Sequence, residues 1–130
     1  MLFRSVIHRY GADIAGGSEG HCRGIAERLA PRHHVTVLTT CARDHVTWRN
    51  EYPAGPSQLG PVRVLRFPVA RTRSMHRFAA ISETVFGGNA SAQDQEEWFR
   101  ANGPETPELV EYLRGHGGEY DLFLFWSFRY

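Results

Sequence analysis

The sequence predicts an α/β domain, an open parallel sheet with helices on both faces. Three stretches carry that expectation. Leu2 to His8 reads as a strand and runs into the glycine-rich stretch Gly11 to His21. Cys22, Ile25, Ala26 and Leu29 then fall at i, i+3, i+4 and i+7, one face of a helix. Val35 to Thr39 follows as a short β-branched run, completing the β-α-β order of a parallel sheet. This is a Rossmann-like pattern.

Each later element has its own signal. Pro31 stops the first helix. Residues 42–61 hold Trp48, Tyr52, Pro53, Gly55, Pro56, Gly60 and Pro61, the composition of a loop whose aromatics pin it to the body. Val62 to Phe67 alternates like a strand exposed on one face, as at a sheet edge. Phe78 to Phe86 reads as a helix ended by Gly87-Gly88-Asn89. Ser91 and Asp94 have capping-box spacing and open a helix over 92–101. Thr106-Pro107 starts another, with Leu109, Val110 and Leu113 on its apolar face and Gly115 at its end. Tyr120 to Trp126 reads as a strand buried on both faces.

Composition narrows the function classes. The 130 residues suit one domain, and a net charge of +1 does not mark a nucleic-acid binder. No apolar run approaches the ~20 residues that span a bilayer. Met1 to Ser5 lacks a signal-peptide pattern, so a cytoplasmic location is expected. Cys22 and Cys41 read as buried free thiols, not a disulfide framework. Residues 63–77 carry five arginines and no acid, while 83–121 carry nine acids against two arginines. The plain reading is a basic loop and a solvated acidic surface.

The glycine loop is the candidate site. Glycines at 16, 17 and 20 let backbone approach a ligand closely. Ser18 is placed to cap the next helix, whose first turn aims free N–H groups and a positive dipole end at the loop. An anion such as phosphate suits that place. Gly16-Gly17-Ser18-Glu19-Gly20 also fits the nucleophile-elbow pattern, but an elbow needs an acid and then a histidine downstream. Asp121 has no histidine after it, and Asp44 and Asp94 are the only aspartates between the loop and His116. The dinucleotide spacing is absent, Thr39-Thr40-Cys41 offers no acid to a ribose, and the chain has no lysine for a P-loop. His33-His34 lacks metal-binding partners at useful spacing. His8 and His21 flank the loop as surface or packing residues.

The order of these motifs resembles a known family. A strand, the Gly16-Gly17-Ser18-Glu19 loop, a helix ending Ile25-Ala26-Glu27-Arg28-Leu29-Ala30, and the run Arg32 to Thr40 look like the opening of a retaining glycosyltransferase. The type is GT-B, family 4 (glycosyl transferase group 1). Trp48 to Pro53, Arg66 to Val69 and Tyr120 to Phe123 resemble one bacterial branch of it, so the likeness runs along essentially the whole chain. It implies two Rossmann-like domains facing a cleft. Residues 1–130 would be the N-terminal, acceptor-side domain, incomplete, with the donor-binding C-terminal domain absent. Gly16, Gly17, Ser18 and Glu19 would approach the diphosphate of a nucleotide-sugar. Arg129 and Tyr130, at the end of the last strand, would line the cleft on the acceptor side. Catalytic residues are not identified. No metal or cofactor is required, the nucleotide-sugar being a substrate, and the acceptor would be a sugar or a lipid-linked molecule. Arg71, Arg73 and Arg77 are candidates for an anionic acceptor or for peripheral contact with lipid headgroups at the inner face of the membrane. A stand-alone α/β module that holds an anion without catalysis is the alternative.

Overall fold

In a computed structural model, residues 1–127 are described. Among them, five strands and four α-helices form an α/β domain. The strands are β1 (Leu2–Val6), β2 (His34–Thr40), β3 (Gly55–Leu59), β4 (Val62–Phe67) and β5 (Leu122–Phe125). The helices are α1 (Gly17–Leu29), α2 (Met75–Phe86), α3 (Ala92–Asn102) and α4 (Pro107–His116). The sheet order is β3-β4-β2-β1-β5. β1 pairs in parallel with β2 and β5, and β2 with β4.

Period-2 alternation assigns the two faces of the sheet. Phe3, Ile7, Val35, Val37, Val62 and Val64 gather with Cys22 and Ala26 of α1. Val6, Leu38 and Leu65 meet Leu109, Tyr112 and Leu113 of α4 on the other side. Helices therefore cover both faces, as the Rossmann-like pattern requires.

The expected open parallel sheet is present, with one antiparallel strand added at its edge. β3 lies within the stretch read as loop and pairs antiparallel with β4 through the turn at Gly60-Pro61. Gly60 has φ +58, which glycine adopts without strain. Gly55-Pro56-Ser57-Gln58-Leu59 carries little apolar alternation, so periodicity does not reveal it. β4 is consequently not the edge.

β5 also departs from expectation. It is an edge strand, not one buried on both faces, and Leu122 and Phe125 are 42% and 56% exposed. β1 is an interior strand, between β2 and β5, although it carries Arg4 and Ser5. Arg4 is fully buried there, with its guanidinium 3.2 Å from the Tyr120 ring centroid and 4.6 Å from that of Tyr112. It donates to the Tyr112 hydroxyl at 2.7 Å and lies 3.8 Å from Glu119. Two aromatic faces thus replace much of the water a cation loses on burial.

The 42–61 segment is held by its aromatics, as the sequence suggests. Trp48 is buried with Ala42 and Val69 and donates its indole N–H to the Asn102 carbonyl at 2.9 Å. The Asn50 side chain makes two bonds to the backbone of Val69. α2 and α3 form a hairpin that stands away from the sheet. None of the α2 residues is buried, and α3 buries only Asn102. α3 opens with the expected reciprocal bonds between Ser91 and Asp94. α2 begins earlier than expected because Ser74 caps it. No helix among the described residues is long and apolar enough to cross a membrane.

Candidate functional site

β1 ends at Val6, and the chain passes through residues 7–16 before α1 begins. This places the glycine loop at the carboxyl ends of β1 and β2, where open α/β sheets bind their ligands. Local bonds shape it. Ile14 N–H closes a turn on the Gly11 carbonyl at 3.3 Å, and Arg23 reaches the Ala12 carbonyl at 3.2 Å. Asp13 accepts from the Tyr52 hydroxyl and pairs with Arg43 at 2.7 Å. The Tyr52 hydroxyl holds the Asp13 carboxyl below its ordinary range, with Arg43 adding to the effect.

The cap of α1 differs from expectation. Gly16, not Ser18, is the N-cap residue, with φ −176 and ψ 158, an extended conformation open to any residue. Ser18 lies exposed in the first turn and makes no capping bond. The Glu19 side chain folds back over Gly16, where a Cβ would collide with its carboxylate. A side chain at position 16 would displace the Glu19 carboxylate from this place.

Gly17 and Gly20 are different. A Cβ at either would meet nothing within 4 Å. Neither needs a positive φ; Gly17 opens the helix, and Gly20 lies within it, where glycine costs roughly 0.5–1 kcal/mol relative to alanine. Internal packing thus gives no reason for these two glycines, which leave the first turn of α1 bare toward solvent. The amides of Gly17, Ser18 and Glu19 have no helical acceptor, since the first helical bond runs from Gly20 N–H to the Gly16 carbonyl at 2.8 Å.

Arg9 was not singled out from the sequence. It donates from Nε and Nη2 to one Glu19 oxygen at 3.1 and 2.7 Å, and from Nη1 to the Arg43 carbonyl at 3.0 Å. One side chain thereby ties β1 to α1 and to the turn after β2. Beside it lies a cleft of about 420 Å³ bounded by Arg9, Asp13, Arg43, Asp44, His45 and Glu51. Asp44 accepts from the backbone N–H groups of Val46 and Thr47 and from the Thr47 hydroxyl, which lower its pKa to about 2. Two arginines face three carboxylates here, so the cleft's side chains do not attract an anion on balance. The positive end is the helix terminus itself.

The remaining expected residues fall elsewhere. Arg71 pairs with Glu97 at 3.2 Å and Glu105 at 3.1 Å. Arg73 donates to the carbonyls of His45, Val46 and Asn102 and to the Asn102 side chain, which anchors the base of the hairpin. Arg77 is exposed on α2. None of the three joins the glycine loop. Arg129 and Tyr130 lie outside the described residues. His21 meets the Trp126 ring edge-on at 5.2 Å, and His8 does the same with Trp48 at 5.6 Å. Cys22 and Cys41 are buried and free, and burial pushes the Cys22 thiol up to about 12. No three His, Cys, Asp or Glu side chains converge on a metal position among the described residues.

Comparison with protein-family models, with curated proteins and with solved structures returns no match. The structure itself establishes an α/β, Rossmann-like domain in which the N-terminus of α1 follows the carboxyl end of β1, an interior strand of the sheet.

Proposed function

We propose that this chain forms the acceptor-side part of a retaining glycosyltransferase. In this reading the intact enzyme moves a sugar from a nucleotide-sugar to an acceptor hydroxyl. The observation that carries the reading is the bare first turn of α1. A Cβ at Gly17, the first residue of α1, or at Gly20 would meet open space, so packing requires neither glycine. A diphosphate approaching the amides of Gly17, Ser18 and Glu19 gives both glycines a purpose. As the sugar–phosphate bond breaks, charge grows on the leaving diphosphate, and fixed N–H donors stabilise that charge. The order of sequence motifs around the loop supports the same class of donor.

Arg9 keeps Glu19 from opposing the ligand. It binds the carboxylate that folds over Gly16 and offsets its charge. A second domain supplies the rest of the donor site in this reading, so the 130-residue chain alone has no transferase activity. Transfer from a panel of nucleotide-sugars, assayed on this chain and on the whole gene product, tests the proposal. Turnover by the 130 residues alone contradicts it. A stop codon directly after Tyr130 would favour a non-catalytic module, whereas a second Rossmann-like half with an acidic pair would favour the transferase.

A further inference from the structure

The α2–α3 hairpin holds a feature that the glycine loop does not explain. A groove of about 640 Å³ runs between the two helices, within the roughly 300–1,000 Å³ range of small-ligand pockets. Its apolar lining is Ala80, Ile81 and Ala101, and its charged lining is Arg71, Arg77 and Glu97. The charges are unequal in availability. Arg71 is held by Glu97 and Glu105. The Arg77 side chain has no ion-pair partner among the described residues, and its backbone N–H caps onto Ser74. The groove thus offers one uncommitted cation beside a strip of apolar surface. The hairpin also keeps Met75, Phe86 and Phe99 at least half exposed, at 50%, 76% and 50%.

We propose that this groove binds an amphiphile with a single anionic head, phosphate or carboxylate, whose head meets Arg77 and whose tail lies along Ala80, Ile81 and Ala101. Charge favours a discrete ligand over a broad anionic bilayer. Glu83, Asp94, Glu96 and Glu97 lie on the same hairpin and repel an extended negative surface, while a small head sees mainly the local arginine. The proposal is independent of the reading given for the glycine loop.

Calorimetric titration of the chain with decyl phosphate below its micelle concentration tests this directly. Inorganic phosphate, decyl maltoside and anionic phospholipid vesicles serve as comparisons. Decyl phosphate should saturate at one per chain, at least about tenfold tighter than phosphate or decyl maltoside. Arg77→Gln should weaken it about tenfold, the effect of losing one charged hydrogen bond. Ala80→Trp should fill the groove and abolish binding, and Arg77→Gln, at an exposed position, stands alone if that variant does not fold. Equal affinity for inorganic phosphate would reduce the groove to an ion site and overturn the proposal. So would equal affinity for decyl maltoside, indifference to Arg77→Gln, or vesicle binding without binding of monomeric decyl phosphate.

Discussion

Arg9 grips Glu19 through two hydrogen bonds to a single carboxylate oxygen, 2.7 and 3.1 Å long, and the pair is largely withdrawn from solvent. Ten residues separate them in sequence, and together they close the glycine loop between β1 and α1. The Glu19 carboxylate also sits over Gly16, at the end of α1 where an incoming anion belongs. Removing its charge should favour the ligand. Glu19→Gln is expected to raise pyrophosphate affinity, whereas Arg9→Ala should lower it and cost about 1–2 kcal/mol of stability. Urea denaturation with parallel binding titrations checks both directions. A Glu19→Gln protein that binds less pyrophosphate would contradict this account of the pair.

The main elements were legible because their signals are local. The i, i+3, i+4, i+7 spacing of Cys22 to Leu29, the β-branched run at Val35 and the Ser91–Asp94 spacing each correspond to an observed element. β3 was not legible, because Gly55 to Leu59 is a strand by pairing with β4 rather than by its own pattern. The exposure of β5 escaped for a related reason. An apolar run such as Leu122 to Phe125 does not say whether helices reach over it. At the site, the glycines were visible in sequence, but the division of labour among them was not. Gly16 accommodates Glu19 while Gly17 and Gly20 face space, a distinction that depends on where side chains fold. Arg9 gave no sequence signal beyond its charge.

Gly17 makes stability and function separable. Gly17→Ala places a methyl group in open space and reduces the freedom of the unfolded chain. The expected gain is roughly 0.4–1 kcal/mol in chemical denaturation. A loss of stability would mean that the helix start needs glycine for its own sake.

Acid should loosen the turn after β2. The bonds from Val46 and Thr47 lower the Asp44 pKa from the ordinary 3.8 to about 2. Its contribution is fully present above pH 3.8 and is lost as pH falls toward 2. Asp13 and Asp94 are depressed as well, so they share the acid limb. Thermal melts of Asp44→Asn should show a shallower decline from pH 4 to pH 2 than the parent, with the difference near pH 7 at its largest. Parallel declines would assign the acid sensitivity to other groups.

The two thiols should be silent in the native protein. Cys22 and Cys41 are 0% and 1% exposed, and desolvation raises the pKa of both. A thiol reagent at pH 8 should modify neither rapidly, and both should react in denaturant. Fast native labelling of Cys22 would show that α1 opens from the sheet far more readily than its burial implies.

The central claim is that the bare first turn of α1 receives a diphosphate. The most direct measurement is an amide NMR titration of the isotopically labelled chain with pyrophosphate, repeated on Gly17→Val. The account predicts saturable shifts centred on the amides of Gly17, Ser18, Glu19 and Gly20, with a smaller response at Arg9, and their loss in a Gly17→Val protein that remains folded. Shifts that avoid this turn, or that survive the valine unchanged, would contradict it.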